Sequence, residues 1–188
     1  MRKLLDSNKR HIPARLLETV KRCLDLRLQD PSLKASQVVR LFNGFYEGLP
    51  GLTVDLYANT LVLLEHDRQR TGEQNLYKEI ADFYAKVLPE VRSVLLKQRH
   101  AKDLEQRKGR LLLGEELPTS VEENGITYAL DLRLNQDCSF YPDTRILRLW
   151  LSKQMKGAHV LNCFAYTGAL GLAALAGIGF QLPGDRPH

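Results

Sequence analysis

The chain has 188 residues, of which 44% are hydrophobic, and a formal net charge of +5 from 27 basic and 22 acidic residues. This composition allows a buried core and excludes a chain that is disordered as a whole. No run approaches eighteen apolar residues and the N-terminal segment lacks the apolar run of a signal peptide, so we expect no membrane span and a cytoplasmic location. The three cysteines form no CxxC pair, which argues against a disulfide framework and a metal site.

The basic residues are concentrated in two clusters. Between Arg2 and Arg40 ten basic residues face four acidic ones, and between Arg92 and Arg110 seven face two. Such clusters suit a polyanion, because cationic side chains that neutralise phosphates release counterions and favour binding. RNA is therefore a candidate partner, and two ordinary solvated surfaces are the alternative.

The N-terminal part predicts a helix followed by short strands. The helix runs from Ile12 to Leu28, with apolar residues at the three-and-four spacing of an amphipathic helix: Leu16, Leu17, Val20, Leu24 and Leu28. Strands are expected at Val38 to Phe42, Leu52 to Leu56 and Leu61 to Glu65, separated by the turns Gly48 to Gly51 and Ala58-Asn59.

The middle of the chain predicts a second helix and a fourth strand. Glu73 to Leu88 places Leu76, Ile80, Phe83, Tyr84 and Val87 on one side of a helix, and Val91 to Gln98 is a plausible strand. The charged stretch from Arg99 to Gly114 is ambiguous, and we expect a loop that returns to Leu111 to Leu113.

Asn124-Gly125 is a strong hairpin signal, because both residue types tolerate the positive φ angles of a tight turn. We expect a domain boundary there. The divisions are a basic helical segment (residues 1–37), a small α/β module (38–120), a further domain (121–178) and an unstructured tail (179–188) rich in glycine and proline. Asp143 to Met155 predicts a helix with Ile146, Leu149, Trp150 and Met155 directed inward.

The last ordered part predicts a strand, a glycine turn and a helix. The apolar run from Val160 indicates a buried strand, Thr167 and Gly168 supply the turn, and Ala169 to Ala176 forms a helix that is apolar nearly all round. This arrangement usually opens a doubly wound sheet with a ligand at the strand's carboxyl end.

Four segments together resemble one family. Asn162-Cys-Phe-Ala-Tyr-Thr-Gly168 resembles the first cofactor motif of class I S-adenosylmethionine-dependent methyltransferases, specifically the bacterial large-subunit ribosomal RNA cytosine-C5 group. Gln136 to Arg145 resembles the segment that precedes this motif, and Arg40 to Asp55 resembles the hairpin of the group's central domain. Asn124-Gly125 matches a further hairpin, so the resemblance covers about Val38 to Gly177 in the family's order.

The resemblance implies an α/β fold in which a small α/β module is followed by the start of a Rossmann-like methyltransferase sheet. It also implies transfer of a methyl group from S-adenosylmethionine to RNA, with cytosine C5 of ribosomal RNA as the expected target. A glycine turn lets backbone amides approach a ligand closely, and the helix after it directs its positive end at an anionic group. The residues that the resemblance assigns to the cofactor are Phe140, Tyr141, Asp143, Arg145, Asn162, Phe164, Tyr166, Thr167 and Gly168.

Some family features have no counterpart in the chain. The family's catalytic cysteine and the loop beside the target base lie further downstream, and no catalytic residue is assigned. We expect Cys163 to pack as a small buried hydrophobe and Cys138 to be the more accessible thiol. The sequence near Pro183 breaks the next strand, and Asp185 is not assigned to the cofactor ribose. The expectation is a truncated chain that is inactive alone.

Two other functions compete with this interpretation. A non-catalytic RNA-binding fragment would use the basic clusters without any cofactor. A nicotinamide-dependent dehydrogenase would need the GxGxxG spacing, which the chain lacks.

Overall fold

The computed structural model describes residues 14–34, 36–67, 74–163 and 165–178, and it has a mixed α/β architecture. The helices are α1 (Ala14–Gln29), α2 (Gly44–Glu47), α3 (Gln74–Val87), α4 (Leu104–Lys108), α5 (Arg145–Gln154) and α6 (Ala169–Ile178). The strands are β1 (Val38–Asn43), β2 (Leu52–Tyr57), β3 (Thr60–Glu65), β4 (Ser93–Gln98), β5 (Arg110–Leu113), β6 (Ser120–Glu123) and β7 (Ile126–Ala129). Short 3₁₀ turns lie at Pro31–Leu33 and Pro142–Thr144.

Five strands form one sheet in the order β1-β2-β3-β4-β5. β3 and β4 are parallel, whereas the other neighbouring pairs are antiparallel. The crossover between the parallel strands is α3, as expected for strands that cannot be joined by a tight turn. The α/β class expected from the sequence is therefore confirmed, and the first four predicted strands are present.

The sheet is buried on both faces because successive β3 side chains alternate between two apolar clusters. Leu61 and Leu63 join the cluster that α1 and α3 cover, whereas Val62 and Leu64 join the cluster formed with residues 121–140. All four side chains are at most 8% exposed. A continuous apolar strand, without polar alternation, is what a doubly covered sheet requires.

Helix α1 packs through a narrower face than the sequence predicted. Val20, Cys23 and Leu24 are buried, but Leu17 is 36% exposed and Leu28 is 58% exposed. The buried face of α1 consists of the residues that contact β1, so Leu17 and Leu28 lie outside this contact. In the second predicted helix, Val87 is likewise exposed.

The charged stretch after β4 is ordered rather than a simple loop. Asp103 caps α4 by accepting a hydrogen bond from the Glu105 amide at 3.0 Å, and the chain then returns as β5, antiparallel to β4. Lys97 is not part of the expected basic surface, because its side chain is fully buried.

The hairpin of β6 and β7 is formed as predicted. Asn124 and Gly125 adopt φ angles of 53° and 75°, the left-handed conformation that a two-residue turn of this kind requires. Val121 and Tyr128 pack against the second face of the main sheet. The four-part division of the chain stays a prediction, and its last part, 179–188, lies outside the described residues.

The strand predicted at Val160 is wrong. Residues 158–162 adopt no strand, Val160 is 42% exposed and Leu161 is 86% exposed. A strand needs a neighbour for its backbone hydrogen bonds, and none of the described strands pairs with this segment. The helix that follows is present and extends to Ile178.

Helix α5 is turned differently from the prediction. Ile146 is 71% exposed and Trp150 is 53% exposed, whereas Arg148 is 1% exposed. The buried face is set by the contacts of the Arg148 guanidinium rather than by apolar periodicity. Across the described residues, no helix is long and apolar enough to cross a membrane.

Candidate cofactor site

The glycine turn between residues 165 and 168 opens onto a cavity. Gly168 has a φ of +83°, and a β-carbon there would point into open space. The Leu172 amide donates to the Gly168 carbonyl at 2.9 Å, which starts α6 directly after the turn. The cavity, about 390 Å³ in volume, is lined by Tyr128, Ala129, Phe140, Thr167, Gly168, Ala169, Gly171, Leu172 and Leu175.

The two segments that the sequence assigned to the cofactor contact each other. The Thr167 hydroxyl donates to the Ser139 carbonyl at 2.5 Å. The rings of Tyr141 and Tyr166 lie 5.5 Å apart between centroids, tilted by 38°. Phe140 lines the same cavity as Thr167 and Gly168. The segments therefore form two sides of one site.

The predicted site residues differ in exposure. Phe140 is buried, whereas Tyr141 is 39% exposed and Tyr166, at a φ of 45°, is 56% exposed. Asp143 lies in the 3₁₀ turn before α5 and Arg145 is the first residue of α5. Asn162 reaches Gly171, where its amide nitrogen lies 3.2 Å from the position that a β-carbon would take. Phe164 lies outside the described residues.

A second cavity adjoins the first and shares Phe140 with it. Its volume is about 430 Å³, and Tyr141, Pro142 and Asp143 form one side. The opposite side comes from the five-stranded sheet and α2: Arg40, Asn43, Phe45, Tyr46, Thr53, Asp55, Tyr57, Leu64, His66 and Arg99. Asp137 and Cys138 complete the lining.

The Arg40–Asp55 ion pair forms the charged floor of the second cavity. Arg40 donates twice to the Asp55 carboxylate, at 2.8 and 3.0 Å, and Asp55 is fully buried. Burial raises the pKa of Asp55, and the Arg40 guanidinium opposes that shift. Because burial leaves the carboxylate without water, this two-bond contact satisfies most of its hydrogen-bonding capacity.

His66 lies in the same cavity as a neutral ring. Its Nε2 is 3.2 Å from the Thr53 hydroxyl, and its ring contacts Phe45 edge to face at 5.4 Å between centroids. Burial, followed by the positive charges of Arg99 and Arg40, lowers the pKa of His66 to about 4. The imidazole therefore carries no charge at neutral pH.

Two buried cations hold the candidate site to the rest of the molecule. Arg148 donates to Glu123 at 2.6 and 3.1 Å, to the Tyr141 carbonyl at 2.8 Å, and lies 4.0 Å from the Phe140 ring centroid. Lys97 donates to the Leu132 and Asp137 carbonyls at 2.7 and 2.5 Å. Neither role could be predicted from the sequence, because the partners Glu123, Leu132 and Asp137 lie 25 to 40 residues away.

Both expectations about the cysteines were wrong. Cys163 is exposed, because the strand that would have buried it does not form. Cys138 is only 4% exposed, and burial raises the pKa of its thiol to about 12. Cys138 is consequently a poor nucleophile at neutral pH. Among the described residues, no group of three or more His, Cys, Asp or Glu could hold a metal ion.

The first cavity fits a cofactor with a carboxylate and an aromatic base. Gly168 and Gly171 leave the turn free of side chains, and the N-terminus of α6 offers backbone donors to an anion. Phe140, Tyr128 and Leu172 give an apolar wall. The volume lies within the range of about 300–1,000 Å³ that is typical of small-molecule sites.

A family model for S-adenosylmethionine-dependent methyltransferases matches residues 39–183, which is most of the chain. The chain belongs to this family. S-adenosylmethionine is the cofactor of this family, and its sulfonium supplies the methyl group that such enzymes transfer.

Curated relatives give the same family. Proteins named ribosomal RNA large subunit methyltransferase I are 36% identical over 146 residues (Shewanella amazonensis), 39% over 142 (Aliivibrio fischeri) and 33% over 164 (Vibrio vulnificus). These matches cover 73% to 80% of the chain, but the chain spans only 35% to 40% of those relatives.

Solved structures agree in fold. SMU.776, a protein described as a methyltransferase and solved in complex with SAH, superposes with a TM-score of 0.72 at 25% identity over 87% of this chain and 41% of its own. A SAM-dependent methyltransferase from Streptococcus mutans has a TM-score of 0.69 at 24% identity, covering 89% of this chain and 44% of its own.

Proposed function

We propose that the chain forms the S-adenosylmethionine-binding part of an RNA methyltransferase whose target is cytosine C5 in ribosomal RNA. The observation that supports it is the contact between two separate segments, made by Thr167 with Ser139 and by Tyr166 with Tyr141, around a cavity at the N-terminus of α6. The names of the curated relatives support ribosomal RNA as the substrate. A cytoplasmic location belongs to the same proposal.

In this proposal each segment has a separate task. Backbone amides at Gly168 and the α6 N-terminus bind the methionine carboxylate, and Arg145 adds a guanidinium on the other side. The family resemblance assigns Asp143 to the methionine ammonium, and the structure places it in the lining of the second cavity. Tyr166 and Asn162 border the cofactor together with Tyr141, which contacts Tyr166 and also lines the second cavity, whereas buried Phe140 lines both cavities. The assignment of Phe164 stays a prediction.

The cofactor site is tested by isothermal titration of the 188-residue chain with S-adenosylhomocysteine. We expect saturable binding that Gly168→Asp abolishes, because the new side chain would enter the cavity. Gly157→Asp is the matched control: Gly157 also has a positive φ of 72° and open space at its β-carbon position, but it does not line the cavity. Equal loss in both variants, or no binding by the unchanged chain, would contradict the assignment.

The substrate is tested separately by deleting the gene and analysing ribosomal RNA nucleosides by mass spectrometry. The expected result is the loss of 5-methylcytidine from one position of the large-subunit RNA, restored by the whole protein. An unchanged 5-methylcytidine content would refute the base assignment while leaving the cofactor site intact.

A further inference from the structure

The second cavity has a composition that favours an uncharged, planar ligand. Its charged lining contains three carboxylates, Asp55, Asp137 and Asp143, against two guanidinium groups, Arg40 and Arg99. Arg40 is paired with Asp55 and Arg99 with Asp137, so the charge of each cation is already balanced by a carboxylate. A phosphate site would need excess positive charge. A nucleobase is uncharged, so a site for it needs no such excess.

Two aromatic side chains lie exposed at the cavity. Tyr46 is 88% exposed and Phe45 is 52% exposed, and both lie on α2. Large apolar rings are seldom left in water without a binding function when they flank a concave site. An unstacked base of single-stranded RNA recovers its lost stacking on such rings.

The backbone that presents these rings is fixed by close packing. A β-carbon at Gly44 would lie 2.0 Å from the Leu49 carbonyl oxygen, so the turn approaches its neighbour as closely as glycine allows. Glu47 accepts from the Asn43 amide at 2.6 Å and from Arg27 at 2.5 Å. The backbone that carries the two rings is therefore fixed before any ligand arrives, which reduces the entropic cost of binding.

Asn43 supplies an unsatisfied acceptor in the same cavity. Its Oδ1 is buried and has no hydrogen-bond partner in the part of the chain that the structure describes. Buried polar atoms are normally paired, so an unpaired one needs an explanation. A ligand amino group that donates to this oxygen would provide one, and cytosine carries such a group at N4.

We propose that the second cavity receives one unstacked cytosine of the RNA, with Tyr46 as the stacking surface and Asn43 Oδ1 as the acceptor for its amino group. The inference rests on the proposed function and adds a base-recognition site supplied by the five-stranded module. Because Phe140 lies in both cavities, the bound base and the cofactor border the same ring. The module thereby selects the nucleotide, while the following segment binds the cofactor.

Stacking is tested by fluorescence anisotropy of the 188-residue chain with a labelled oligocytidylate. Tyr46→Ala should weaken binding by roughly 5- to 100-fold, whereas Tyr46→Phe keeps the ring and should bind as the unchanged chain does. Leu113→Ala is the control, since Leu113 is 46% exposed on β5, at the sheet edge opposite β1. A greater loss of RNA affinity in Tyr46→Ala than in Tyr46→Phe supports the inference. Equal RNA affinity in all variants overturns it.

Base selection is tested with oligocytidylate against oligouridylate, which lacks the amino group. The unchanged chain should prefer cytidine by about 3- to 10-fold, the value of one hydrogen bond, and Asn43→Leu should remove that preference.

Titration with S-adenosylhomocysteine separates the two proposals. If Tyr46→Ala loses cofactor affinity but not RNA affinity, the cavity is part of the cofactor site and the inference is wrong. If the unchanged chain binds RNA selectively but no cofactor, the proposed function fails while the base site stands.

Discussion

The five-stranded module (residues 38–120) and the segment that follows it (residues 121–178) bury their apolar residues to different extents. In the module, β3 has four consecutive apolar side chains that are at most 8% exposed, because strands flank it on both sides and helices or the hairpin cover both faces. In the following segment, Ile146, Trp150 and Leu161 are more than half exposed. An apolar sequence is therefore buried only where neighbouring elements supply partners.

The segment packs on the module through the second apolar cluster and is also attached to it by buried polar groups. Tyr57 donates to the Phe140 carbonyl at 2.9 Å, and Lys97 donates to the carbonyls of residues 132 and 137. Ser36 donates to Glu123, which is also paired with Arg148 inside the segment. Such contacts fix geometry more strictly than apolar packing does, because each depends on distance and direction. The candidate site thus depends on a few specific atoms.

The largest effect is expected from breaking the Arg148–Glu123 pair. Arg148→Met leaves the Glu123 carboxylate buried without its counter-ion, with the Ser36 hydroxyl still donating to it, and should lower the free energy of unfolding in urea by about 3–5 kcal/mol. The double variant Arg148→Met with Glu123→Gln should recover part of the loss. A loss below about 1 kcal/mol, as for a surface ion pair, would show that the segment is held by other contacts.

The next largest effect on stability is expected from glycine substitutions, one in each region. Gly44→Ala forces a β-carbon to within 2.0 Å of one carbonyl oxygen and 2.6 Å of another, and should lower the free energy of unfolding by about 2–3 kcal/mol. Gly168→Ala meets open space and incurs only the positive-φ strain, about 1 kcal/mol. Thermal unfolding of both variants checks the order. The reverse order would mean that the glycine turn is the more tightly packed site.

Acid should lower the stability of the folded chain through protonation of His66. Its pKa is about 4 in the folded chain and near 6.5 when unfolded, so the unfolded state binds more protons between these values. Stability should therefore fall as the pH drops from about 6.5 to 4, by about 1–2 kcal/mol after allowance for solvent screening at a half-buried ring. The measurement is urea unfolding across this range, with His66→Asn as the comparison. A pH profile that is identical in the two proteins would contradict this prediction.

The parts of the fold that local sequence determines were predictable. The Asn124-Gly125 turn needs only two residues that tolerate positive φ, and the β3 strand carries its own apolar run. The glycine turn before α6 was also expected, and the contact of its segment with Phe140 to Arg145 was expected from the family resemblance. Which residues bind the cofactor stays a prediction.

What the sequence did not reveal depends on distant partners. Periodicity placed Ile146 and Trp150 inside, but α5 is oriented by Arg148, whose partner Glu123 is 25 residues away. Nothing near Lys97 indicated that it would be buried beneath two carbonyls. The Val160 segment has strand composition and adopts no strand, because pairing is a property of the neighbour as well as of the strand.

The smallest effect on stability is expected from truncating an exposed leucine of the segment, and the same change at a buried leucine of the module is the comparison. Leu161→Ala should change the free energy of unfolding by no more than about 0.5 kcal/mol, because an 86% exposed side chain has little burial to lose. Leu63→Ala removes the same atoms from a fully buried position in β3 and should lower it by about 2–5 kcal/mol. Urea unfolding of both variants measures the difference. If Leu161→Ala were as damaging as Leu63→Ala, residues 158–162 would be packed in solution, and the contrast between module and segment would not hold.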